Sequence, residues 1–425
     1  MGCCLKATSS GRGFFILDIN NIKNSLSTDF LIYWLVCAAF LSVPLGTSPP
    51  VICGGLAALV WIFSGKPIKL RRAYIGKSWF WPVLVLIFLS WIGLLYTPDP
   101  AGFGIKFAKK THYWLYAFVV ASIPFSRFSS ERLIKAFLLG MAINALVALL
   151  QLIGIFPILN KLASGLGLGY GAMAVNLPLG ILMASLYFRD TNDKRKRILY
   201  GLLMGVYFFH LIILGGRAWF FTLSVVSPLI IRNLFGRFKI LKMSLAYVAI
   251  LGIMLLSPTV RDQLSRSIDQ IKYHLNTDSD MAWGKEYSDQ EHRLYMWRGA
   301  IQIFLEKPII GAGTGGYPVV LQERGNPDWP QAAHPHNNFL YMAVSFGIVG
   351  ILALIWFFWE MIRNAWEERH SPLGFFVLST ALVMLITGLF NTVIIDASTA
   401  FLLALATGLQ NGFPKFAKTF STGLP

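Results

Sequence analysis

Charged residues are what this chain has least of. Only 13% of its 425 residues are Asp, Glu, Lys or Arg, beside 55% hydrophobic residues and a mean hydropathy of +0.59, which excludes a soluble domain of ordinary composition. Cysteine is scarce as well. Cys37 and Cys53 fall in apolar runs and Cys3 and Cys4 in "MGCCLK", so neither a disulfide framework nor a cysteine metal site has the spacing it needs. That opening fits a myristoylation signal only loosely, because Lys6 stands where Ser or Thr belongs, and it reads as a plain cytoplasmic tail. A small-residue cleavage site is missing too: the first apolar run starts near residue 30 and further runs follow it, so no cleavable leader is expected. The runs also lack the alternation of polar and apolar residues that barrel strands require, which leaves helices.

What the chain has in abundance is apolar runs long enough to cross a ~30 Å hydrocarbon core, which takes about 17 to 25 helical residues. They lie at about 30–46, 49–64, 79–97, 111–125, 133–155, 168–188, 198–214, 218–232, 243–257, 336–362, 373–390 and 394–411. The sequence thus predicts an all-α polytopic membrane protein of about twelve transmembrane helices. Three blocks follow: 1–257 with helices one to nine, 258–335 as one large helical loop, and 336–425 with the last three helices and a cytoplasmic tail. The net charge of +17 sits where topology demands it. With the N-terminus inside, "KPIKLRRAYIGK" (66–77), "SRFSSERLIK" (126–135), "RDTNDKRKR" (189–197), "RNLFGRFKILK" (232–242) and "RNAWEERH" (363–370) all face the cytoplasm, and the opposite assignment inverts every one. The basic excess therefore marks orientation among membrane lipids, and no nucleic-acid partner is expected.

Polar chemistry collects in the outward stretch 258–335. Val260, Leu264, Ile268, Ile271 and Leu275 repeat at the spacing of one helix face, so 260–275 reads as an amphipathic helix on the membrane or the bundle. Ser288 and Glu291 form a capping box, and the helix they start runs until Pro308 stops it. Arg293 then falls in its first turns, either as a forked, permanently charged anion ligand near free amides or as a surface ion-pair partner of Glu291 or Asp289. "GAGTGGY" (311–317) has the G-x-G-x-x-G spacing of a dinucleotide site, but no strand precedes it and "YPVV" follows, so a flexible or close-packed turn is the better use. At the outer end of the seventh run, "LGGRAWFF" (214–221) holds Arg217, which either snorkels to the interface or serves a function. Asp396, at the outer start of the last run, either caps a helix or positions a substrate.

"AHPHNNFL" (333–340) brings two histidines to the outward start of the tenth run. A metal site would need further ligands, and only Asp328 is near in sequence. A purely structural reading makes an asparagine or histidine the helix cap. A general base would be a neutral imidazole held by a neighbour such as Asn337, with nearby arginines keeping it unprotonated. Under the predicted topology Arg217, Arg293 and His336 meet at one membrane face. Two guanidiniums and a base there suit an anionic, lipid-borne substrate attacked by a hydroxyl, such as an isoprenoid-pyrophosphate-linked sugar.

Four stretches in order, "GGRAW", "HRLYMWRGAIQIFLEKPIIGAGTGGY", "HPHNNFLYMAVSFGIVG" and the large loop between the last two, resemble the O-antigen ligase and polymerase superfamily of bacterial inner-membrane enzymes. Together they cover about 120 residues. Within that superfamily the sequence is most similar to O-antigen ligases. The resemblance implies a metal-independent, inverting glycosyl transfer at the periplasmic face, without a cofactor, from undecaprenyl-pyrophosphate-linked O-antigen to the lipid A-core oligosaccharide. It implies His336 as the base, Arg217 and Arg293 as pyrophosphate ligands, Arg261 as a further basic position, and auxiliary places for His334 and Asn337. An O-antigen polymerase or a protein O-oligosaccharyltransferase would use the same donor. A secondary transporter, the alternative outside enzymes, would need charged residues at midplane, which the inner runs almost lack. Paired carboxylates of the kind retaining glycosidases use do not stand out in the outer loop.

Overall fold

Helices whose apolar side chains run round the whole circumference have no face for water, so they bury one another or face lipid. The structure, a computed structural model, describes residues 19–158, 165–166, 168–214, 217–235, 240–256, 258, 261–262, 265, 268–269, 291–324 and 333–414. Among these residues regular structure is helical and there is no strand. The main helices are α1 (Ile19–Ser42), α2 (Ser48–Phe63), α3 (Phe80–Ile92), α4 (Leu115–Ala121), α5 (Ser130–Leu152), α6 (Tyr170–Asp190), α7 (Lys194–Leu214), α8 (Arg217–Phe235), α9 (Ile240–Leu256), α10 (Glu291–Glu306), α11 (Gly316–Arg324), α12 (Asn338–Glu367), α13 (Pro372–Thr387) and α14 (Ala397–Leu409). Short helical turns lead from Pro100 to Trp114 into α4.

Each apolar run read from the sequence coincides with one of these helices or, at the fourth, with a helix built from short pieces. Four of them, α5, α6, α7 and α12, are long and apolar enough to cross a bilayer by length and composition. The all-helical, multi-pass class is therefore as expected, while the figure of about twelve crossings exceeds those four. The expected amphipathic helix at 260–275 lies mostly outside the described residues, as does Ser288 of the capping box; α10 is described from Glu291 and stops short of Pro308.

At the centre is α6, with 89% of its most apolar stretch buried, packed against α7, α8 and α13. The outer side of α7 stays open, as a lipid-facing helix would. Along α12 pack α13, α3 and α10. Met296, Ala300 and Ile303 of α10 form a small apolar cluster with Val344 of α12 and with Tyr317 and Leu321 of α11. On its other side Ile301 and Leu305 remain exposed. This helix of the predicted outer loop thus lies beside the first half of α12, with one apolar face inward and another outward.

The glycine run is a close-packed turn. Gly311, Gly313 and Gly315 all have positive φ, and a Cβ on any of them would come within 2.7 Å of neighbouring backbone. The turn fills a break in α12 at Gly347 (φ 65°, ψ −151°). Carbonyls freed there are taken up by the turn: Ala312 N–H donates to Val344 O (2.7 Å) and Gly313 N–H to Ser345 O (3.0 Å), while Ile348 N–H donates to Pro308 O (2.8 Å). A broken helix in an apolar bundle needs such partners, because an orphaned peptide group there has no water to turn to. Thr314 ties the same turn to α3 through Ser90 O (2.6 Å).

The polar residues divide between the two ends of the bundle. At one end Lys66 pairs with Asp29 and reaches Ser122 O, Asn364 of α12 bonds Ser78 (2.7 Å) and Gln410 (2.9 Å), and Asn411 bonds Ala121 O. Lys135 lies over the Tyr187 ring and Arg189 donates to Asn233, so described residues of all five basic segments gather at this end. At the other end of α12, about 45 Å away if its 30 residues ran straight, stands the histidine segment.

Candidate functional site

Asn337 opens α12. Its Oδ1 accepts from the N–H groups of Phe339 (2.8 Å) and Leu340 (3.0 Å), satisfying donors that a helix start leaves orphaned. Its Nδ2 donates to Leu389 O (3.0 Å), in the turn after α13. Asn337 is therefore the helix cap, and the orientation of His336 comes from elsewhere.

His336 faces Asn391, whose Oδ1 lies 3.4 Å from its Nδ1. An amide oxygen only accepts, so the contact favours the tautomer protonated at Nδ1 and leaves Nε2 with the lone pair a base requires. The backbone at His336 has φ +49°, in the left-handed region; among the described residues no other non-glycine residue has a positive φ. A bulky residue held in that region is strained, and strain of this kind gathers where a side chain must be aimed. His334 stacks edge-on to it, ring centroids 4.4 Å apart, with Nδ1 3.1 Å from the Thr392 hydroxyl. Burial first, then the charges of His336 and Lys110, pull the His334 pKa from 6.5 down to about 3. It stands neutral beside His336.

The turn from Gly388 to Asp396 is the platform under both rings. Asn338 N–H donates to Gly388 O (2.7 Å), and Ile394 N–H donates to the Asn338 side chain (3.3 Å). Gly171, at the start of α6, packs so close to the Asn391 amide that a Cβ there would lie 2.1 Å from it. Asn391 and Thr392 were not among the residues picked from the sequence. Their only signal is a polar pair after a helix-ending glycine in an otherwise apolar stretch.

Both helices that carry the predicted arginines reach this platform. Trp297 of α10 donates from its indole to Pro335 O (2.8 Å), between the two histidines. Arg293 is partly exposed and sits one turn earlier on the same helix. Since α10 and the first half of α12 run side by side in the same direction, that turn carries it about 6 Å beyond Trp297, past the histidine segment. Arg217 is the first residue of α8. One turn on, the Phe221 ring meets Phe390 edge-on (5.1 Å), next to Asn391, and Thr222 bonds Thr387 (3.0 Å). The start of α8 and the face of α10 thus come to the same end of the bundle as His336. Arg261 is exposed, and no described contact joins it to this group. Asp396 precedes α14 without a side-chain capping bond. Among the described residues no group of three or more His, Cys, Asp or Glu comes together as a metal centre would require.

A protein of Rickettsia conorii (strain ATCC VR-613 / Malish 7) whose printed name is "Putative polysaccharide ligase" is 28% identical over 94 residues. The match covers 20% of this chain and 23% of that relative, so the chain spans about a quarter of the length of the curated protein it matches. Residues 168–355, which carry α6 to α11, the first half of α12 and the histidine segment, match the family model described as O-antigen ligase, so the resemblance to the O-antigen ligase superfamily holds for the part of the chain that carries the arginines and histidines, while the Gly388–Asp396 platform lies beyond the match.

Proposed function

We propose that this chain is an O-antigen ligase, a glycosyltransferase that moves O-antigen polysaccharide from undecaprenyl pyrophosphate to the lipid A-core oligosaccharide. The observation that carries the reading is the site at the start of α12. His336 is held in a left-handed conformation against Asn391, and α10, the helix of Arg293, is pinned to the same segment through Trp297.

The chemistry follows from those parts. Nε2 of His336 takes the proton from an acceptor hydroxyl as the oxygen attacks the anomeric carbon. The carbon–oxygen bond to pyrophosphate breaks as the new glycosidic bond forms, and a single displacement inverts the centre. Arg217 and Arg293 stabilise the charge growing on the leaving pyrophosphate where water is partly excluded. No step calls for a metal or a nucleotide. Arg261 adds a further cation from the loop, and His334, kept neutral, spares His336 a second charge beside it.

Orientation follows from the two polar ends. With the five basic segments in the cytoplasm, the histidine end opens to the periplasm of a bacterial inner membrane, about twelve helices cross, and 258–335 is the outer block. A polymerase or a protein O-oligosaccharyltransferase would share donor and site and differ in acceptor. Deleting the gene separates them: uncapped core with accumulating polymerised donor is the expected result, and loss of polymer down to single repeats would make the chain a polymerase. Movement of a labelled solute by the purified chain in liposomes, without any glycosyl transfer, would make it a transporter instead.

A further inference from the structure

The segment 98–114 breaks the charge pattern of the rest of the chain. It carries Lys106, Lys109, Lys110 and His112 against a single acid, Asp99, yet it lies at the histidine end, where the orientation proposed above disfavours lysine. Asp99 does not neutralise them. Its carboxylate is taken up by the N–H groups of Gly102 (2.9 Å) and Phe103 (2.7 Å), as the cap of its own turn. Among the described residues none of the three lysines has a salt bridge.

Their arrangement is built rather than loose. Lys106 and Lys110, one helical turn apart, each lie over a phenylalanine three residues back: Lys106 over Phe103 at 5.7 Å and Lys110 over Phe107 at 4.8 Å. Such aromatic seats hold an ammonium in place without neutralising it; the acid whose charge does act on Lys110 is Asp396, at the end of the Gly388–Asp396 turn, and it makes no ion-pair contact with Lys110 among the described residues. Lys110, only partly exposed, lines a small, partly open cleft with Ser90, Thr111, Trp114 and Tyr341, and Ile394 and Ile395 line it as well. Those two isoleucines belong to the same Gly388–Asp396 turn that holds His334 and His336 through Thr392 and Asn391. The cleft and the histidines thus share one wall, and the charges of Lys110 and His334 bear on one another. Among the described contacts α8 reaches the platform through Phe390 and α10 reaches the histidine segment through Pro335 O.

We propose that Lys110, with Lys106 behind it, forms a phosphate-binding subsite in this cleft that holds a phosphorylated sugar of the acceptor glycolipid while its hydroxyl is presented to His336. The apolar and aromatic lining suits the lipid-proximal part of such a molecule, and the polar Ser90 and Thr111 suit its sugar hydroxyls. This assignment rests on the ligase reading above and adds to it a second anion site, separate from the one for donor pyrophosphate.

The test uses the full-length protein in nanodiscs, core glycolipid with its phosphates and the same glycolipid after phosphatase treatment. Lys110→Ala is expected to raise KM for the phosphorylated acceptor about tenfold, the worth of one charge-assisted contact, with kcat and donor KM little changed. Lys110→Arg is expected to restore most of the loss, and the dephosphorylated acceptor to bind wild type and Lys110→Ala alike. Equal losses with both acceptors would overturn the phosphate assignment, and a rise in donor KM would move Lys110 to the pyrophosphate site. Direct binding of the two glycolipids, followed without turnover, keeps this separate from the ligase reading: a phosphate-dependent, Lys110-dependent affinity in a chain that transfers nothing would count against the ligase alone. Equal competition by phosphatidylglycerol would mean a general lipid-headgroup site and would overturn the acceptor assignment.

Discussion

At the scale of single residues the site turns on how a histidine is aimed. The left-handed backbone at His336 disfavours any side chain with a Cβ by about 1 kcal/mol, and glycine escapes that cost. His336→Gly is therefore expected to unfold at the same temperature as wild type or higher, and His336→Ala below His336→Gly, while both lose transfer by a factor of about 10² to 10⁴. Thermal unfolding in detergent beside a transfer assay reads both halves, and an active glycine variant would remove His336 from the chemistry. His334 adds a pH dependence. Its folded pKa, about 3, lies below its ordinary 6.5, so the unfolded chain binds the extra proton first. Its contribution to stability is fully present above 6.5 and is lost as pH falls from there toward 3. Unfolding temperature measured across that range should drop less in His334→Gln than in wild type; parallel curves would mean that His334 is not held neutral. The sequence displayed His334 and His336 plainly, since two histidines in an apolar chain stand out. Asn391 was hidden, because its contact spans 55 residues and no local spacing announces it.

Among the elements, α12 does most to position the site. Its apolar run was legible from end to end and its cap, Asn337, follows from the asparagine before the run. The break at Gly347 was not legible, because a glycine inside an apolar helix reads the same whether it packs or kinks. Only the turn at 311–313, supplying N–H donors to the freed carbonyls, decides the matter. Gly347→Ala would place a Cβ 2.2 Å from Ile309 O at φ +65°, and the expected loss is about 1 to 3 kcal/mol of stability. Gly205→Ala, in the open face of α7 with nothing within 4 Å, is expected to gain about 0.4 to 1 kcal/mol. Denaturation of the two variants side by side checks the contrast; equal effects would mean the turn does not brace α12. Trp297→Phe keeps an aromatic ring and deletes the bond to Pro335 O, at a cost of about 0.5 to 1.5 kcal/mol. If that bond docks α10 on the histidine segment, the variant folds and donor KM rises; unchanged kinetics would detach α10 from the site.

Over the whole molecule described residues of the five basic segments and the histidines occupy opposite ends of one helical bundle, while Lys106, Lys109 and Lys110 stand at the histidine end. Composition gave the helical, multi-pass class because a bilayer permits few arrangements of apolar helices. How α10 lies was out of its reach: its helix was legible from the capping box and Pro308, but the packing of its apolar face on α12 was not. In a background with its cysteines replaced, Lys69→Cys and Arg195→Cys should react with an impermeant maleimide only from the cytoplasmic side, and Lys109→Cys and Gln322→Cys only from the other. Labelling of all four from one side would undo the orientation. The central claim, that His336 drives transfer from a pyrophosphate-linked donor, is tested most directly by purified full-length chain given undecaprenyl-pyrophosphate-linked glycan and core glycolipid in the presence of a chelator. Capped glycolipid of inverted linkage is expected from wild type, with a loss of about 10² or more in His336→Ala. Undiminished product from His336→Ala would contradict it.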